Sequence, residues 1–176
     1  MIEVPRAAII SNQIAALKDE KDGEPLCSFF SYGTNDLTQM TMGISRDDSN
    51  GFIPQYMKLG IMEDDPFQTI DEEGVGYMVE HSAKLGKGVN PDMSLSVCGE
   101  HGGDPKSIHF FDSIGLDYVS CSPYRVPVAR LSVAQARIKA RAKEVEAAKH
   151  TFNAAAELKR QSARIESGAS SNIVVQ

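Results

Sequence analysis

Leu95-Ser96-Val97-Cys98-Gly99-Glu100-His101-Gly102-Gly103-Asp104-Pro105 ends an apolar run in a thiol and follows it with glycines. Leu95-Ser96-Val97 reads as the close of a buried strand, and Gly102-Gly103 lets the backbone turn sharply or come close to a ligand. Two further strand ends share the design. Phe29-Phe30-Ser31-Tyr32 runs into Gly33-Thr34-Asn35-Asp36, and Met1-Ile2 runs into Glu3. Three strand ends thus present a carboxylate, a carboxylate and a thiol, which is how parallel barrels place catalytic groups.

Working outward, strand and helix alternate. The expected strands are Met1–Glu3, Ser28–Gly33, Leu95–Cys98 and Asp117–Cys121. Helical composition covers Ala7–Lys18, a short stretch from Asp36 to Met42, Thr69–Lys84, Pro105–Ile114 and a long Ala-rich run from Pro127 to Ser167. Lys18–Pro25 reads as a charged loop, Arg46–Asp65 as an irregular and functional one, and Gly168–Gln176 as a frayed tail. Strands separated by helices predict parallel βαβ units with right-handed crossovers. Four strands are half of a closed eight-stranded barrel. Pattern alone fits equally well a small open α/β sheet or the C-terminal half of such a barrel.

Composition excludes several classes. The 176 residues are 41% hydrophobic and 24% charged, as in ordinary globular domains. No apolar run approaches the roughly 20 residues of a membrane helix, and neither a signal peptide nor a peroxisomal ending is visible. Three cysteines without zinc-type spacing suit free thiols in a reducing compartment; the cytoplasm is expected, with an organelle left open. A net charge of −6 argues against nucleic acid as a main partner. Ser132–Glu166 carries eight Lys/Arg against four Glu, a local +4 that leaves −10 on the rest.

Each candidate has a plain alternative. Glu3 and Asp36 are hard oxygen donors that, with waters and a substrate oxygen, could hold Mg²⁺, although an acid at a strand end commonly caps a helix or meets solvent. Cys98 could move a proton at carbon; most lone cysteines simply pack, the reading adopted for Cys27 and Cys121. Glu100 and His101 come next, His101 being expected as a hydrogen-bonded, solvated loop residue. His81, His109 and His150 read as surface or packing residues. Arg46-Asp47-Asp48, Arg125 and Arg130 fit local ion pairs as well as a site. Ile138, Val145 and Phe152 recur every seventh residue, a seam for a partner helix or a plain surface face.

Glu3-Val4-Pro5-Arg6-Ala7, Phe29 through Thr41, the Cys98 block and Gly115-Leu116-Asp117-Tyr118-Val119-Ser120-Cys121-Ser122-Pro123 resemble the C-terminal, pyruvate- and phosphoenolpyruvate-binding domain of the pyruvate, phosphate dikinase family. Gly-Thr-Asn-Asp-Leu-Thr-Gln is also that of phosphoenolpyruvate synthase and enzyme I, whereas Cys-Gly-Glu-His-Gly-Gly-Asp-Pro and Ser45-Arg46-Asp47-Asp48 point to the dikinase branch. The resemblance implies the C-terminal half of a (β/α)₈ barrel over 1–136, followed by a helical extension and tail over 137–176. It places the Mg²⁺ ligands on Glu3 and Asp36, the substrate around Glu3, Gly33, Thr34, Asn35 and Asp36, and the proton-handling thiol on Cys98. It implies phosphoryl transfer between a phosphohistidine and pyruvate, within the interconversion of ATP, phosphate and pyruvate with AMP, diphosphate and phosphoenolpyruvate. The phosphohistidine and nucleotide domains are separate and missing here, so the chain alone is expected to be inactive in the full reaction and to form a homo-oligomer. A synthase or enzyme I relative, or a non-catalytic assembly module, are the rival readings.

Overall fold

The computed structural model describes residues 1–168, with side chains to residue 163. The chain divides into two compact units, with the boundary between Ala136 and Arg137.

In the first unit, strands β1 (Phe29–Gly33), β2 (Ser94–Cys98) and β3 (Tyr118–Val119) form a parallel sheet in chain order. Ile2 adds one parallel bridge to Tyr32 on the outer side of β1. All crossovers are helical: α3 (Thr34–Met42), the short α4 (Arg46–Ser49) and α5 (Ile53–Lys58), and α6 (Tyr77–Val89) lie between β1 and β2, and α7 (Pro105–Ser113) lies between β2 and β3.

Alternation along the strands decides the core. Phe30, Tyr32, Leu95 and Val97 are buried, each contributing about 1.5–3 kcal/mol by removal from water. The Phe30 ring packs on Gly86 of α6, where an added methyl would lie 2.7 Å from the ring. The Tyr32 hydroxyl donates to Ser82 Oγ at 3.2 Å, and burial pushes its pKa up to about 12. The register pairs Phe29 with Ser94, Ser31 with Ser96 and Gly33 with Cys98, so residues of the opposite parity share the other face.

Several elements differ from expectation for local reasons. The strand expected at Met1–Glu3 is the single Ile2 bridge, and Asp117–Cys121 contracts to two residues. The helix expected over Ala7–Lys18 is two pieces, α1 (Pro5–Ile9) and α2 (Ser11–Ala15). The break falls at Ile10, where the Ser11 hydroxyl takes the Ala8 carbonyl at 3.0 Å and competes with the helical ladder. Arg46–Asp65 contains the two short helices α4 and α5. The helix expected from Thr69 opens instead with a π-turn over Glu72–Gly76, because the Asp71 carboxylate accepts from Gly74 N (3.0 Å) and Val75 N (3.2 Å).

Helix α8 (Val126–Gly168) begins in the first unit, burying Ala129, Ser132 and Ala136, and makes up the described part of the second. The tail expected beyond Gly168 lies outside the described residues.

Candidate active site at the strand ends

Backbone pairing brings three strand ends side by side. Ile2 N donates to Ser31 O (2.8 Å) and Gly33 N donates to Ile2 O (2.9 Å), which sets Glu3 beside Gly33. On the other side Gly33 is in register with Cys98. Gly33 must be glycine: a Cβ there would lie 2.7 Å from both Cβ and Oε2 of Glu3. A carboxylate, a bare backbone and an exposed free thiol therefore occupy successive positions along one rim.

Helix α3 starts at once, with Gly33 as its N-cap and no side chain capping it. The backbone N–H groups of its first turn, Thr34, Asn35 and Asp36, have no intrahelical partner and suit an anionic group. Asp36 is exposed, and its Oδ1 accepts from Gln39 Nε2 at 3.0 Å. Gln39 Oε1 in turn accepts from Arg46 N (2.8 Å), and Arg46 Nη2 meets Glu100 Oε1 at 3.5 Å. Both partners of that ion pair are about half exposed, so it is worth ~0–1 kcal/mol and serves to join α3, α4 and the loop after β2.

The loop after β2 is locked from beneath. Gly99 has φ +142°, a conformation that glycine alone adopts readily, and a Cβ there would meet Thr34 Oγ1 at 2.6 Å. Asn35 Oδ1 accepts from Glu100 N at 3.3 Å. His101, expected to be solvated, is fully buried instead. Its Nε2 lies 2.8 Å from the Pro66 carbonyl and its Nδ1 2.7 Å from Thr34 Oγ1. A carbonyl only accepts, so Nε2 carries the proton and Nδ1 accepts from the Thr34 hydroxyl. Burial lowers the His101 pKa, against a smaller opposing effect of the Pro66 carbonyl and of nearby acids. The Thr34 side chain is consequently engaged beneath the rim, and what it can offer a ligand is its backbone N–H.

A cleft of about 370 Å³ is lined in part by Arg46, Arg125, Glu100 and Gln68, and none of Glu3, Gly33, Asp36 or Cys98 lines it. A larger cleft of about 600 Å³, lined by Met42, Pro66, Asp71 and Lys106 among others, contains none of the rim residues. His81 stacks on Tyr77 and Cys27 Sγ contacts the Phe29 carbonyl, both local packing roles. Among the described residues no three His, Cys, Asp or Glu side chains gather into a metal cage. Two carboxylates from neighbouring elements suit Mg²⁺, which keeps several waters of its own. Glu3, held against Gly33, and Asp36, in the first turn of α3, therefore fit that ion by donor chemistry.

Rim, helix start and glycine-locked loop define a domain class, and comparison with known proteins identifies it. Residues 1–138 match the family described as "PEP-utilising enzyme, PEP-binding domain", and the chain belongs to that family. Its relatives include pyruvate, phosphate dikinases. Pyruvate, phosphate dikinase 2 of Oryza sativa subsp. japonica is 53% identical over 135 residues, 77% of this chain and 14% of the relative. Pyruvate, phosphate dikinase of Rickettsia bellii is 56% identical over 139 residues, 79% and 15%. The chloroplastic pyruvate, phosphate dikinase 1 of Arabidopsis thaliana is 53% identical over 135 residues, 77% and 13%. The chain thus spans about one-seventh of the length of these curated relatives.

Proposed function

We propose that this chain carries the phosphoenolpyruvate/pyruvate half-site of a pyruvate, phosphate dikinase, built on the C-terminal half of a (β/α)₈ barrel. The observation that carries this reading is the rim itself: Glu3 against Gly33, and Gly33 in register with Cys98.

Each residue has a task. Backbone N–H groups of Thr34, Asn35 and Asp36 hold the substrate carboxylate at the start of α3. Glu3 and Asp36 would hold Mg²⁺, which supplies Lewis-acid stabilisation of the oxygens of pyruvate. Cys98 Sγ handles the proton at the methyl carbon. As a base, the thiolate takes a methyl proton, the C–H pair moves into the enolate, and the S–H bond forms; in reverse the thiol protonates the methylene carbon of enolpyruvate. The enolate oxygen then accepts the phosphoryl group from a phosphohistidine on another domain, and the His–P bond breaks. Arg46 and Arg125, which line one cleft together with Glu100, would supply positive charge to that transfer. In such a dikinase ATP chemistry would belong to another domain, and residues 1–176 by themselves are expected to be inactive in the full reaction. Three free cysteines favour a reducing compartment such as the cytoplasm.

Calorimetry with oxalate, a planar mimic of enolpyruvate, tests the half-site. Mg²⁺-dependent binding that disappears in Asp36→Ala is expected. Oxalate binding independent of both Mg²⁺ and Asp36 would overturn the assignment.

A further inference from the structure

The family match ends at residue 138, while α8 continues as a helix to Gly168. Nothing in the proposed chemistry uses this extension. Yet it carries large apolar side chains in water: Ile138 is 70% exposed, Val145 48% and Phe152 74%. They recur every seventh residue and so form one stripe along the helix, in the manner of a coiled-coil seam. Three residues on from each, along the same seam, stand Arg141, Ala148 and Ala155.

We infer that residues 137–156 form an antiparallel two-helix coiled coil with the same segment of a second copy of this chain. The occupant follows from self-complementarity. In an antiparallel pair each large seam residue faces a residue of the other set. With Val145 set against the partner's Ala148, Ile138 falls against the partner's Ala155 and Phe152 against the partner's Arg141. Two layers then join a large side chain to a small one, which lets the helices approach. The third seats a guanidinium on an aromatic ring, a cation–π pair. Two-fold symmetry repeats all three layers, closing the interface on itself.

A parallel pair is worse on the same residues. It would stack Arg141 on the partner's Arg141 and Lys159 on the partner's Lys159 within the seam, and would alternate Phe–Phe with Ala–Ala layers. Its one gain, Glu144 beside the partner's Lys149, is an exposed ion pair of little weight.

The test uses the full chain at low micromolar concentration. Sedimentation should give a mass near twice 19.1 kDa, and Phe152→Glu should weaken the dimer at least tenfold. Phe152 is exposed, so this change leaves the fold of the chain intact. Orientation is read by disulfide capture in chains whose three native cysteines are replaced by serine. A Val145→Cys chain mixed with an Ala148→Cys chain should cross-link to each other and not to themselves. A monomer up to 100 μM, a dimer indifferent to Phe152→Glu, or self-linked Val145→Cys chains would each overturn the proposal.

Discussion

At the scale of single residues, Cys98 and His101 contrast in how they could be read. A thiol closing an apolar run before glycines stands out in sequence, and the structure leaves it exposed at the rim. In a complete dikinase carrying this domain, Cys98→Ala is expected to abolish methyl-proton exchange of pyruvate while ATP-dependent histidine phosphorylation continues; retained exchange, followed by deuterium incorporation, would remove Cys98 from the chemistry. His101 gave no such signal, because its partners Thr34 and Pro66 are distant in sequence and only the fold brings them together. Its folded pKa is lowered by burial, so the unfolded chain binds a proton that the native state resists. Stability is therefore fully present above about pH 6.5, the unfolded histidine value, and is lost as pH falls below it. Urea midpoints taken from pH 7.5 to 5.5 should fall, and fall less in His101→Gln. Thr34→Val keeps the shape of the side chain but leaves Nδ1 without its donor; a loss of about 1–3 kcal/mol is expected in the same urea titrations.

At the scale of elements, the ends of β1 and β2 and the helices α7 and α8 were legible, whereas the break at Ile10 and the short or irregular pieces were not. The ends at Gly33 and Cys98 are marked by an abrupt change from apolar residues to Gly, Thr and Asn. Helices α4 and α5 are too short to display an apolar period, and Gly51 and Pro54 read as breakers, so their stretch looked like loop. The π-turn before α6 depends on one carboxylate, Asp71, reaching two N–H groups, a contact that no periodicity reports. The glycine pair after Cys98 was legible as a turn, but its reason was not: a Cβ on Gly102 would sit 2.1 Å from the Ser120 carbonyl. That clash is with backbone and cannot be relieved by a rotamer change. Gly102→Ala is expected to cost at least 1–3 kcal/mol, seen as a lower melting temperature, with β3 and the Glu100–Gly103 turn displaced.

At the scale of the whole molecule, the alternation of strand and helix was enough to give a parallel sheet in chain order, because right-handed crossovers leave few other arrangements. The register that sets Gly33 against Cys98 required the packed structure, since a slip of two residues would keep the same side chains on the same faces. The sheet of the first unit ends at Ile2 on one side and at β3 on the other, and among the described residues neither edge has a further strand. Open parallel edges invite pairing with other chains. Concentrated solutions of the wild-type chain should scatter light increasingly with time, and Tyr118→Lys, at a half-exposed edge position, should reduce that scattering without lowering the melting temperature. Equal scattering from the two would show that the edge of β3 is not the adhesive surface.

The pairing of β1 with β2 also bears on how the chain is made. Phe29 must wait for Ser94 to be synthesised before its strand gains that neighbour. At the usual pace of a ribosome this interval is roughly 3–13 s. Throughout it Phe30 and Tyr32 lack the Leu95 and Val97 they will lie beside. The interval between these two strands is thus one in which the nascent chain presents an unpaired apolar strand to other molecules, before the rim of the site can form.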